Sequence, residues 1–301
     1  MKSLLFFYSF VFLIYSNFLF AKINLVTTTT DLAAIVIAIG KNNVEVMSIA
    51  KGTQDPHQVS AKPSFMIKLR DAQLVIAQGL ELEDAWIIPL IDGSRNPKIK
   101  KGTSGYLELG SLLNPIDVAS TQVSRSNGDV HPNGNPHFQL DPIRLGQAAI
   151  IIGERLGQID PNLKDFYQQN AKKFQEEMSV KWNEWKKRLV ATGIKEIITY
   201  HKTLNYFCTS FGIICQLQLE PKPGIPPTIS HSLELIKQIK DKKIHLVLIE
   251  NYFDRDSAGK IKESIPDMRI SPVPVSVGGE AEISDNFILI EKIVQLFEMK
   301  K

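Results

Sequence analysis

Short apolar runs alternate with amphipathic stretches along almost the whole chain, and the alternation runs through twice. In the first half, Ile23 to Thr29, Val44 to Ala50, Gln73 to Gln78 and Tyr106 to Leu113 have the β-rich content of strands. Asp31 stands as a cap ahead of the apolar helix Leu32 to Gly40. Lys62-Pro63-Ser64 opens a short helix to Asp71, Glu83 to Ile91 makes another, and Asp141-Pro142 starts a helix to Leu156. Glu196 to Tyr200, Ile213 to Leu219, Ile244 to Ile249 and Ile270 to Val277 repeat the strand pattern in the second half. The helices between and after them are Thr203 to Phe211, Ser230 to Lys242, Asp256 to Ser264 and Asp285 to Met299.

Between the two series lies Asn162 to Val190, a stretch without glycine or proline. Its apolar residues (Leu163, Phe166, Tyr167, Phe174, Met178, Trp182, Trp185, Leu189) recur at steps of three and four, as one face of a helix requires. Such a helix spans roughly 40 Å at 1.5 Å per residue, long enough to lie along two domains. Strand and helix alternating on both sides of it predict an α/β protein of two lobes with mostly parallel sheets, joined by one long linker helix. The boundaries this implies are 22–160 for the first lobe, 161–190 for the helix and 191–301 for the second lobe.

Residues 1–21 are different in kind. Lys2 is followed by an almost wholly apolar run from Leu4 to Phe20 and then by the small Ala21, the layout of a secretory signal peptide. An uncleaved membrane anchor is the other reading, because the run approaches the ~20 residues of a membrane span. No cysteine follows the apolar run, so a lipid anchor is not expected, and the periplasm is the natural compartment. The whole chain has 301 residues, 44% hydrophobic and 22% charged, with a net charge of +3, so nothing in the charge points to nucleic acid. Cys208 and Cys215 are the only cysteines; export permits a disulfide, but two buried thiols are the simpler expectation.

The chemistry concentrates on histidine. His131-Pro-Asn-Gly-Asn-Pro-His137 ends a long polar stretch, Asn114 to Pro136, on a stiff turn-rich path just ahead of a helix. His57 follows the second strand of the first half, and His201 ends the first strand of the second. Ligands of open α/β sheets bind beyond the carboxyl ends of the strands. Two such sheets facing each other bring His57, His137 and His201 to one cleft. His57 and His137 each follow a proline, which limits the freedom lost on binding. Neutral imidazole suits zinc and other late first-row metals. His231 and His245 read as ordinary polar residues, and His131 is left open as a residue that could hand metal inward.

These pieces together resemble the cluster A-I solute-binding proteins, which deliver zinc or manganese to ABC importers. The matching residues are Asp55-Pro56-His57 with Lys62-Pro63-Ser64, Ala72-Gln-Leu-Val-Ile with Gly79-Leu80-Glu81-Leu-Glu83 and Trp86, Gly134-Asn-Pro-His137-Phe-Gln-Leu-Asp141-Pro142, Tyr200-His201 with Tyr206-Phe207 and Phe211-Gly212, and Glu220-Pro221. The resemblance implies two lobes joined by a long helix, a buried metal between them, and His57, His137 and His201 as three of its ligands. Histidine rather than glutamate at the third position favours zinc, with manganese still possible. The family often places an aspartate as fourth ligand after a glycine-rich turn near the last strand; here Asp285 follows Val277-Gly278-Gly279-Glu280 at a slightly altered spacing. Asp285 could equally cap the last helix, leaving Glu280 or water to complete the site. The expected partner is the membrane permease of an ABC importer, with the chain acting as a monomer and performing no chemistry. The other classes of reading are a zinc hydrolase, since three histidines and an open position also describe a catalytic site, and a surface adhesin.

Overall fold

The computed structural model describes residues 22–119 and 130–299. The expected signal peptide and Asp129, an acidic residue of the long polar stretch, lie outside the described residues.

The first half folds as β1 (Ile23–Thr27), α1 (Thr30–Gly40), β2 (Val44–Ser48), α2 (Pro63–Asp71), β3 (Leu74–Ala77), α3 (Asp84–Ser94) and β4 (Tyr106–Glu108). The second half repeats the scheme with β5 (Glu196–Thr199), α6 (Asn205–Phe211), β6 (Ile214–Gln218), α7 (Ile229–Lys242), β7 (Leu246–Glu250), α8 (Gly259–Ser264) and β8 (Arg269–Val273). Between the halves stand α4 (Pro142–Ile159) and α5 (Lys164–Thr192), and α9 (Asn286–Glu298) closes the chain. The sheets have the orders β2-β1-β3-β4 and β6-β5-β7-β8, and these strands pair only in parallel. The two lobes therefore share a strand order as well as an element order. The Leu-Val-Ile-Ala run of β3 is buried throughout, as an inner strand covered on both faces must be.

Three elements depart from the sequence reading. The fourth strand stops at Glu108, because Leu109 and Gly110 turn their amides to Ala77 and Gln78 at the sheet's end and a tight turn follows. The last strand stops at Val273, beyond which the chain leaves the second sheet for the first lobe. Asp31 does not cap α1: that position is Thr29, with no side-chain bond, while Asp31 is buried in the first turn and accepts from the Val277 amide at 2.9 Å. The cysteines depart too. Gly212 ends α6 at φ +73° and sends the chain straight into β6, so Cys208 and Cys215 lie 6.1 Å apart at Cα and form a disulfide.

The long helix α5 has 29 residues and buries Tyr167, Ala171, Phe174, Met178, Trp185 and Leu189. Its N-terminal part packs antiparallel on α4, closely enough that a Cβ on Gly153 would sit 2.7 Å from the Ala171 methyl. Farther along it meets α9, where Arg188 reaches Glu291 and Glu298 at 2.7–2.8 Å and Trp185 donates to Glu291 at 2.8 Å. Those bonds push the Glu291 carboxyl down to about 2. One hydrophobic core runs without a break from Ile23 and Leu74 of the first lobe, through α4 and α5, to Ile197, Leu248 and Phe297 of the second.

Polar contacts close the seam between the lobes. Thr30 Oγ1 donates to the Val277 carbonyl at 2.6 Å, and a Cβ on Gly52 would overlap that same oxygen at 2.1 Å. Tyr206 of the second lobe donates to Asn135 O at 2.8 Å, accepts from Ile116 N at 3.2 Å, and carries Arg144 over its ring at 4.7 Å. Burial pushes Asp31 from 3.8 up to about 7, against the bonds from Val277 and Ser276 that favour its anion.

Asp31→Ala leaves the buried Val277 amide without its acceptor and should cost about 1–3 kcal/mol of stability, measured by chemical denaturation. The raised Asp31 pKa adds a pH signature. Its contribution is fully present below about pH 4, where both folded and unfolded states are protonated, and is lost as pH rises through about 7. The stability of the native chain relative to Asp31→Asn should therefore decline between about pH 4 and about pH 7.

Candidate metal centre

Each of the three histidines is set by its own local device at the carboxyl end of a sheet. His57 sits beyond β2 in Asp55-Pro56-His57, where Asp55 Oδ1 accepts from the His57 amide at 2.9 Å and from its Nδ1–H at 2.8 Å. The loop is tied down by Trp86 of α3, whose Nε1 donates to Pro56 O at 2.9 Å. His137 sits in Asn135-Pro136-His137, the same pattern, with Asn135 Oδ1 accepting from the His137 amide at 2.9 Å. The side chain of Gln78, at the end of β3, holds this second loop by donating to Pro136 O and Gln139 Oε1, both at 2.8 Å. Glu83 anchors the backbone beneath by accepting from Gln78 N at 2.7 Å and Gly79 N at 3.0 Å. Twice, then, an Asx side chain bonds two residues on across a proline and aims a histidine into the cleft.

His201 ends the first strand of the second lobe. Its amide bonds Glu250 Oε1 at 3.3 Å, at the end of β7, and its Nδ1–H donates to Glu220 Oε1. Glu220 is fixed in turn by the Gly224 amide at 3.0 Å. Carboxylates thus hold the Nδ1 protons of His57 and His201 and leave both Nε2 lone pairs facing the cleft, the arrangement that orients metal-binding imidazoles.

The ring centroids of His57, His137 and His201 are 5.2–5.3 Å apart pairwise. One ligand atom from each lies within 4.8 Å of the others. His137 is 1% exposed, and neither of its ring nitrogens has a hydrogen-bond partner. A buried polar nitrogen left unpaired costs free energy unless something else binds it. Burial, with the neighbouring His57, His201 and His131 rings, holds the His137 pKa well below its ordinary value, so the ring is neutral with a lone pair to offer. The donor set and the orphaned nitrogens fit a divalent transition metal.

Carboxylates surround this group without joining it. Hydrogen bonds from His57 hold the Asp55 pKa below the usual carboxylate range, although burial pushes the other way. Burial pushes Glu250 up to about 8, so it stands protonated at neutral pH behind His201.

The structure brings together His57, His137 and His201 but not Asp285. That carboxylate caps α9, with Oδ1 accepting from Ile288 N at 2.9 Å, and lines a separate hollow with Lys41 of the α1 turn and Asn170 and Lys173 of α5. Glu280 is also engaged elsewhere, with Lys292 at 2.8 Å. His131 approaches one member of the group, its Nε2 3.2 Å from that of His57, while among the described residues the set of ligand atoms within 4.8 Å of one another is His57, His137 and His201 alone. His231 donates from Nε2 to the Gln218 carbonyl at 3.0 Å and takes no part. The sequence reading missed Asp55, Glu220 and Asn135 as orienting groups. The signal was present in Asp55-Pro-His57 and Asn135-Pro-His137, one Asx-Pro-His triplet written twice.

A family model described as zinc-uptake complex component A, periplasmic (ZnuA) matches residues 25–290. The chain belongs to that family. Among its relatives is the manganese ABC transporter substrate-binding lipoprotein PsaA of Streptococcus pneumoniae serotype 4, 24% identical over 242 residues, covering 77% of this chain and 74% of the relative. The iron ABC transporter substrate-binding lipoprotein MtsA of Streptococcus pyogenes serotype M1 is 26% identical over 246 residues, covering 78% and 74%. These family relatives are named as binding components of transporters, not as enzymes. In fold, the chain is similar to the crystal structure of ZnuA at a TM-score of 0.74, with 20% identity over 91% of this chain and 98% of that one. A manganese-bound mutant of the periplasmic metal binding protein from Candidatus Liberibacter asiaticus gives 0.75, with 20% identity and the same coverage.

If Asp285 acts only as a helix cap, Asp285→Ala should lower stability by about 0.5–2 kcal/mol while leaving metal content unchanged. Thermal denaturation and metal analysis of the same preparation check both halves of that expectation.

Proposed function

We propose that this chain is an exported solute-binding protein that captures one divalent transition metal, zinc in the first instance, and hands it to the membrane permease of an ABC importer. The single observation that carries the reading is the convergence of His57, His137 and His201 from both lobes, with both nitrogens of buried His137 unpartnered. The families of transporter component named among the relatives supply the partner. Imidazole nitrogen suits zinc better than the harder manganese ion, which prefers added carboxylate. Relatives named for manganese and iron keep manganese as the second reading, favoured by the nearness of Asp55 and Glu220 to the cluster.

The ion is cargo here, so the site has to bind it without altering it. Metal reaches the cleft by a hollow of about 230 Å³ lined by His57, His201, Tyr200, Ile225 and Phe253. The long α5 helix and the shared core resist bending, so capture proceeds with small adjustments of loops rather than a wide closure of lobes. The exported location follows from the signal-like residues 1–21 and keeps the chain beside the permease it serves.

Native mass spectrometry of the purified chain should show one zinc per molecule, lost in a His57→Ala/His137→Ala double variant; full retention of the metal in that variant sinks the proposal. X-ray scattering profiles with and without zinc should be nearly superimposable. The depressed His137 pKa sets the pH dependence: that ring stays neutral well into acid, so zinc occupancy should survive to lower pH than at exposed histidines titrating near 6.5. Folding of the metal-free chain responds to acid in the same direction. Below about pH 6.5 the unfolded chain takes up a proton that folded His137 does not, so stability falls as pH falls.

A further inference from the structure

His131 is the fourth imidazole at the cleft, and three observations bear on what it does there. Its Nε2 lies 3.2 Å from His57 Nε2. Two nitrogens bound to one tetrahedral zinc at ~2.0 Å are separated by about 3.3 Å, the edge of the tetrahedron. Its ring centroid is 5.3 Å from that of His57, the same spacing that separates the members of the triad, and 6.5 Å from that of His137. Finally, His131, His137 and His201 line one cavity of about 30 Å³, room for a single water-sized body.

The loop that carries His131 is held in place from several sides. Asn133 donates to Glu81 at 3.0 Å, Gly134 N bonds the His131 carbonyl at 3.2 Å, and Ala119 N bonds Pro132 O at 3.1 Å. Asn135 then ties the loop to the second lobe through Lys202 O at 3.0 Å and to Asp117 at 3.1 Å. The backbone of Leu80 hydrogen-bonds the His131 ring itself. His131 is therefore seated at the cleft by bonds to its own loop, to the turn after β3 and to the second lobe.

We infer that His131 completes the site as the fourth ligand, giving an all-imidazole tetrahedral centre in which His57, His131, His137 and His201 each contribute one nitrogen. This rests on the reading of the triad as a metal site. It assigns to His131 the role that Asp285, occupied as a helix cap, does not fill. Four nitrogen donors leave no open position for a reacting water, and they select zinc over manganese by donor type. The 3.2 Å separation of the two Nε2 atoms is then one edge of the donor set around a single ion.

X-ray absorption fine structure of the zinc-loaded chain should resolve four imidazoles at about 2.0 Å. In His131→Ala and in His131→Gln it should resolve three imidazoles and one oxygen, with the stoichiometry still one zinc. Competition with a chromophoric chelator should show a loss of affinity of at least ~10-fold in both variants, and a circular dichroism melt verifies that both remain folded. A native centre of three imidazoles and one oxygen, unchanged in affinity and spectrum by either variant, overturns the assignment of His131 and leaves the triad reading standing. Zinc retained in the His57→Ala/His137→Ala variant, or no zinc bound by the native chain, overturns both.

Discussion

Imidazoles drawn from both lobes into one junction are the constraint on which the rest of this molecule depends. A buried nitrogen with no partner is unfavourable, and His137 presents two. The arrangement persists because each neighbouring ring is locked by a group that can go nowhere else: Asp55 on His57, Glu220 on His201, and the backbone of Leu80 on His131. These anchors fix which nitrogen faces inward before any ion arrives. Asp55 and Glu220 also place carboxylates one hydrogen bond behind two of the rings, where they would offset the charge of a divalent cation without binding it directly.

Holding His57 and His137 of one lobe against His201 of the other requires the lobes to keep a fixed position with respect to each other. The seam accomplishes this with few contacts of high consequence. Val277 is bonded on both sides, its amide to Asp31 and its carbonyl to Thr30, while Gly52 leaves just enough room for that carbonyl to approach. On the opposite flank, Tyr206 inserts its hydroxyl between the two ends of the polar loop, at Ile116 and Asn135. Asn135 is the point where both systems meet, since its carbonyl oxygen atom of the side chain sets His137 and its amide reaches the second lobe.

The architecture was legible in the sequence because it follows from periodicity. Alternation of strand and helix, the uninterrupted amphipathic run that becomes α5, and the histidines at strand ends all depend on local pattern alone. What could not be read depends on residues far apart in the chain. Asp31 looks like a cap because it precedes an apolar helix, and only the return of the chain after β8 gives it a different partner. Asp285 was ambiguous between ligand and cap for the opposite reason: its neighbours in sequence favour both, and only the placement of α9 against α1 and α5 decides which contacts it makes. The expectation of free thiols at Cys208 and Cys215 failed on a single glycine turn that returns the chain on itself.

The 29-residue helix between the lobes has a consequence for how the molecule comes apart. Tyr167 and Phe174 belong to the same apolar core as Leu74 and Ile152 on one side and Ile290 and Phe297 on the other. Neither sheet therefore has a private core covering both of its faces, and stripping away either lobe would expose the flank of the other. Loss of native structure should spread across α5 as one cooperative event, so the two halves, alike in plan as they are, have no separate melting points.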